Sequence, residues 1–215
     1  MLPFSHAQFI EVFTRYNANV WPAQIAAYFL ALAMVVAILS PLRTKGRLVA
    51  GGLALMWLWT GVAYHGVHFS AINNAAYLFG ALFVIQGLLL TRAALTDTLR
   101  FASSGKAKSW LGWSLVAYAT ILYPALGLWF GFRAVELPMF GITPCPVTIF
   151  TFGIFLLAAP VSRWLLAVPV LWALIGGSAA FLLRVPQDWV LLASGFSVIV
   201  LLHPGASMAA AHFKE

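Results

Sequence analysis

The chain has 215 residues, of which 63% are hydrophobic, 15% aromatic and only 8% charged. Soluble domains carry about 25% charged and about 45–50% apolar residues, so these proportions exclude a water-soluble enzyme, a disordered chain and a disulfide-stapled secreted module. The net charge of +7 reads as the loop bias of a membrane protein rather than a nucleic-acid surface, because no basic cluster is interleaved with aromatics.

Residues 1–19 form an element of their own. The opening MLPFSHAQFIEVF has neither a basic start nor an early apolar core, and is not read as a cleavable signal. Ser5 followed by Gln8 fits a capping box. Phe9, Val12, Phe13 and Tyr16 recur at helical spacing and make one apolar face, while Glu11 and Arg15 can pair on the other. The pattern predicts a short amphipathic helix lying in the outer membrane interface, with Pro22 bending the chain onward.

Residues 20–215 are expected to be a single transmembrane bundle. Stretches of roughly 20 apolar residues between charges predict spans at about 20–40, 47–66, 72–91, 110–132, 145–160, 163–183 and 188–204, the second and third being separated by turn signals at Gly66 and Asn73–Asn74. The expected fold is therefore an all-α, polytopic membrane helix bundle of seven transmembrane helices. One set of alternate loops holds Arg43, Lys45, Arg47, Arg92, Arg100, Lys106, Lys108, Arg163 and Lys214, and the other holds Arg15, Arg133 and Arg184. Nine basic residues against three predict an outside N-terminus and a cytoplasmic C-terminus.

No Asp, Glu, Lys or Arg falls at the centre of a predicted span, so proton coupling through a membrane-buried acid is not expected. Uncharged polar groups converge instead. With this topology Asn17, Gln24, Tyr64, His65, His68, Asn73, Thr143, Cys145 and Thr148 all gather on the outer side as a candidate binding site. His65 and His68, three apart, share a helix face, and with the lone Cys145 they form a mixed His/Cys set suited to a soft metal ion. Haem is a further cofactor such histidines could serve, though both look peripheral for an axial ligand. In Thr143-Pro144-Cys145-Pro146 two prolines remove backbone N–H groups around the thiol. That predicts irregular backbone, tolerated in a membrane only where buried or lining a cavity. The alternative is a plain helix start. Gln86 reads as a tie between helices, and Tyr123–Pro124 as a kink.

Tyr16-Asn17-x-x-Val20-Trp21-Pro22-x-Gln24, Trp57-x-Trp59-x-Gly61-x-x-Tyr64-His65, Ile72-Asn73-x-Ala75-Ala76, Gln86-Gly87 and Phe140-Gly141-x-Thr143-Pro144-Cys145-Pro146-x-Thr148-Ile149-Phe150-Thr151 resemble an uncharacterised family of bacterial multi-pass membrane proteins, catalogued as a domain of unknown function. The resemblance covers nearly the whole chain. It implies a bacterial inner-membrane location and no particular activity.

Two functions from different classes follow. One is a small transporter or channel-like permease for a neutral solute or a soft metal ion, with its polar site on the outer side. The other is a non-catalytic accessory or cofactor-binding subunit of a larger membrane complex, its aromatics and small-residue faces packed against a partner or a second copy. A membrane enzyme is disfavoured, because no Ser-His-Asp set and no carboxylate near a histidine is evident.

Overall fold

The computed structural model describes residues 3–101 and 105–202, which are all-α, with no strand among them. In chain order the helices are α1 (His6–Asn19), α2 (Ala23–Leu39), α3 (Lys45–Trp59), α4 (Ala76–Leu95), α5 (Lys106–Ala117), α6 (Tyr123–Trp129), α7 (Pro144–Leu157), α8 (Arg163–Leu182) and α9 (Trp189–Leu202). Two π-helical stretches, Thr60–His68 after α3 and Tyr118–Leu122 between α5 and α6, carry the helix through. Lys45–Ala71 and Lys106–Trp129 thus each run as one long apolar rod. The turn expected at Gly66 lies inside the first of these, and the chain reverses only at Ile72–Ala75. The second π stretch ends at Leu122, just before Pro124, the position read as a kink, where an N–H is missing from the ladder.

Among the described residues four helical stretches are long and apolar enough to cross a membrane: Lys45–Ala71, Ala76–Leu95, Lys106–Trp129 and Arg163–Leu182. A fifth arises only if α1 and α2, which meet at 81°, count as one bent span. The expectation of seven is too high, because charge-free stretches report apolarity and not what the apolar surface faces. Helix α7 has 14 residues, about 21 Å at 1.5 Å each, against a hydrocarbon core of about 30 Å. Every one of its residues is buried within the protein, as suits a helix apolar on all sides. Helices α2 and α9 are also short, with 17 and 14 residues. His203–Pro204, expected to close the last span, and Lys214 in the C-terminal tail lie outside the described residues.

Helix α7 is the centre of the bundle, packed by α5, α9, α8 and α3. Glycine lets the backbones touch. A Cβ on Gly153 would stand 2.8 Å from the Gly112 carbonyl oxygen of α5, and one on Gly112 would stand 2.9 Å from the Gly153 oxygen. Gly61 and Gly80 do the same for the α3 rod and α4, at 2.9 and 2.8 Å. Buried polar groups tie helices together. Trp57 Nε1 donates to Thr151 Oγ1 at 2.9 Å, and Gln86 Nε2 donates to the Leu165 carbonyl at 2.9 Å.

Helix α1 starts with the expected Ser5/Gln8 capping box and carries the Arg15–Glu11 pair at 2.8 Å. Its apolar face packs on protein. Phe13 stacks on Tyr64 with ring centroids 5.5 Å apart, and Phe9 meets Phe69 edge-on at 6.1 Å. Tyr16 Oη donates to the Ile142 carbonyl at 2.7 Å and accepts from Trp59 Nε1 at 2.9 Å. Asn17 Nδ2 donates to the Val135 and Leu137 carbonyls at 2.8 and 2.9 Å. These bonds hold α1 against the end of the α3 rod and the loop before α7.

The close approach at Gly153 gives a direct test. Gly153→Ala must push α7 off α5 and is expected to destabilise by about 1–3 kcal/mol, the usual range for overpacking. A Cβ on Gly51 meets nothing within 4 Å, so Gly51→Ala should gain about 0.5–1 kcal/mol of helix propensity. Thermal unfolding of both variants in the same detergent checks the pair, and equal midpoints would contradict the packing described here.

Candidate functional site

A cavity of about 150 Å³ lies where α1 closes over the bundle. Its wall is rich in aromatic side chains, with Phe9 and Phe13 from α1, Phe69 and Phe79 from the turn into α4 and α4 itself, and Trp172 from α8. Five further side chains with polar atoms reach it: Tyr64, His65, Asn73, Cys145 and Asp188. They come from the end of the α3 rod, the turn before α4, the first turn of α7 and the turn leading into α9.

His65 is fully buried, at 0% exposure. Its ring packs on Phe83 at 4.8 Å and on Trp172 at 5.1 Å. Among the described residues neither Nδ1 nor Nε2 has a hydrogen-bond partner, while the Trp172 indole lies beside the Cys145 thiol. A buried polar group without a partner costs roughly 1–3 kcal/mol, so two such nitrogens beside a cavity mark a place where a ligand can supply the missing bonds.

Asp188 is the second feature. It ends the turn Pro186–Asp188 and is 5% exposed. Tyr123 Oη donates to its Oδ1, and the Cys145 thiol lies beside the carboxyl. Tyr118 Oη fixes the same turn by donating to the Gln187 carbonyl at 2.7 Å. Among the described residues the ion pairs join Arg15 to Glu11, Arg47 to Asp97 and Arg133 to Glu136, and none reaches Asp188.

The cavity gathers some of the residues singled out from the sequence and not others. Tyr64, His65, Asn73 and Cys145 line it together. His68 stands apart. Its Nδ1 is 2.7 Å from the Ala63 carbonyl oxygen and its Nε2 3.3 Å from Asn19 Nδ2, in a surface groove with Glu11 and Arg15. The premise that residues three apart share a face assumes α-helical pitch, and Thr60–His68 is π-helical. The wider turn sends His65 inward and His68 outward. Among the described residues no three His, Cys, Asp or Glu side chains are grouped to hold a metal ion.

Asn17 and Gln24 lie apart from this cavity, in a separate pocket with Trp21 and Met139; Gln24 Nε2 donates to the Asn17 carbonyl at 2.9 Å, and the side-chain oxygens of both have no partner among the described residues. Thr143 and Thr148 donate to the carbonyls of Met139 and Pro144, each at 2.8 Å. Of the two readings of Pro144-Cys145-Pro146, the plain helix start is the one the structure contains. Pro144 and Pro146 fall in the first turn of α7, where N–H groups lack helical acceptors in any case.

Asp188 and Trp172 were not legible as site residues. Asp188 falls at the edge of the last apolar stretch, where an acid normally caps a helix in water. Trp172 is one of nine tryptophans, most of which read as interface anchors.

The chain belongs to a family of unknown function (DUF6064), whose model matches residues 6–212. No curated protein and no solved structure matches it.

The lone thiol reports directly on the cavity. Cys145 is 9% exposed, so a bulky polyethylene-glycol maleimide should label it only after unfolding. Methyl methanethiosulfonate, small enough for the cavity, should modify it in the folded protein. Intact mass after timed exposure checks this, and equal protection from both reagents would mean that Cys145 is packed rather than cavity-lining.

Proposed function

We propose that the protein is a small membrane permease whose single substrate site is the aromatic cavity beside His65. The observation that carries the reading is the fully buried His65 ring with both nitrogens free of protein partners, facing a volume that can hold a small molecule. Cavities of about 150 Å³ accept molecules of benzene size. Four helices of spanning length and composition support a place in the membrane. Lys45 and Arg47 at the start of the α3 rod and Arg92 in the last turn of α4 lie at the helix ends opposite Tyr64 and Asn73, which favours the cavity end facing outward in a bacterial inner membrane. Between the cavity and the other face stands α7, buried along its whole length. The arrangement suits an occluded carrier site better than an open channel.

The sequence-based preference for a neutral solute or soft metal rested on the lack of an acid at the centre of a span. Asp188 lies outside the four spanning stretches, but it is buried on the cavity and puts an acid within the site's reach. The accessory-subunit reading has no comparable observation behind it, since its aromatic surface would equally face lipid.

Proteoliposomes containing the purified protein, challenged with a panel of polyols, small amides and monovalent organic cations, test the proposal. At least one class should equilibrate about tenfold faster than in protein-free liposomes. His65→Leu should abolish the gain, and Arg15→Gln, on the exposed side of α1, should keep it. A panel-wide failure, with a stoichiometric partner retained through purification, would overturn the permease reading in favour of the accessory subunit.

A further inference from the structure

Asp188 is a carboxyl with no basic partner among the described residues, placed in an aromatic wall. We infer that the cavity binds a small monovalent organic cation, an alkyl- or methylammonium, with Asp188 as its counter-ion and the surrounding rings as its cage. The inference rests on the permease reading for the location of the site and names the substrate class.

Three independent features converge on this chemistry. The first is charge. An unpaired carboxylate is costly to bury, and an intramembrane acid usually has an ion or ligand as its partner. The groups around Asp188 cannot fill that role, because Tyr123 supplies a neutral hydroxyl and Cys145 a thiol. The second is the wall. The rings of Phe13, Tyr64, Phe69, Phe79 and Trp172 line one volume, and successive rings around it are close: Phe13 to Tyr64 at 5.5 Å, Tyr64 to Phe69 at 5.7 Å, Phe79 to Trp172 at 5.5 Å. Aromatic faces attract cations within about 6 Å, and desolvated cages of this kind suit quaternary ammonium groups. The third is what the wall lacks. A hard metal ion needs six or more oxygen ligands and a soft one needs several His or Cys groups. Among the described residues no such trio is assembled. A diffuse organic cation needs one carboxylate and apolar contact, which are present. The His65 nitrogens, without partners among the described residues, add a place for one hydroxyl on its tail. A permanent cation is also a substrate for which a permease is required, since it cannot dissolve in hydrocarbon as a neutral apolar molecule does.

The test uses the full-length protein in nanodiscs and isothermal titration with three compounds: tetramethylammonium, choline, and 3,3-dimethylbutan-1-ol, in which carbon replaces the choline nitrogen. Both cations should bind with one-to-one stoichiometry, and choline at least tenfold tighter than its uncharged isostere. Asp188→Asn, nearly isosteric, should weaken choline at least tenfold and leave the isostere unchanged. Arg15→Gln, on the exposed side of α1, should bind choline within a few-fold of wild type. Unchanged binding of the isostere by Asp188→Asn, with an unaltered near-ultraviolet circular dichroism spectrum, is the check that its loss of choline is not a loss of fold. Equal binding of choline and its isostere, no cation binding at all, or full choline affinity in a folded Asp188→Asn protein would each overturn the inference. Cation binding without flux in proteoliposomes would leave the cation site standing and remove the permease reading. Flux of a polyol with no cation binding would do the reverse.

Discussion

The burial of α7 on every side is the constraint on which the rest of the molecule depends. A helix of 14 residues with no exposed face can be stable only if its neighbours cover it completely and its few polar groups are satisfied from within. Both conditions are met. Thr148 and Thr151 return their hydroxyls to the carbonyls of Pro144 and Val147, one turn back, and Thr151 Oγ1 also accepts the Trp57 N–H. Backbone contact at Gly153 brings α5 against it. Once α7 is set, its first turn is set, and with it the position of Cys145 at the base of the cavity.

The opposite wall depends on α1, whose attachment is polar as well as aromatic. Tyr16 joins three segments through one oxygen, and Asn17 closes onto two carbonyls of the loop before α7. The helix that the sequence assigns to the membrane interface turns its apolar stripe onto the bundle and closes the cavity. The same hydrophobic face serves either purpose, because a stripe of Phe, Val and Tyr records that burial is needed and not whether lipid or protein supplies it.

The same distinction decides how much was legible in the sequence. Helix class, the capping box, the Glu11–Arg15 pair and the Gln86 tie all follow from local rules, and the structure contains them. The number of spans does not, because the apolar stretch at 144–157 reads alike whether it faces lipid or helices. Half of the cavity was visible as well. Tyr64, His65, Asn73 and Cys145 were marked by polarity within apolar surroundings. The remainder depended on long-range placement. Asp188 looks like a helix-capping acid until Tyr123, 65 residues earlier, is found donating to it, and the aromatic wall cannot be told from ordinary apolar core without knowing which rings share a void.

The π-helical stretch has a consequence for how such a chain tolerates change in length. A π turn holds one residue more than the α turn it replaces, so Thr60–His68 accommodates an extra residue without moving the ends of the rod. Deleting a single residue there would restore α pitch inside the stretch and leave the ends of the rod where they are, so the part that rotates is the turn carrying Tyr64 and His65. Tyr64 and His65 would then leave the wall they now form although neither had been substituted. The spacing between Trp57 and Phe69 is therefore under the same constraint as the side chains it carries, and a length change in this interval is more damaging than most point substitutions within it.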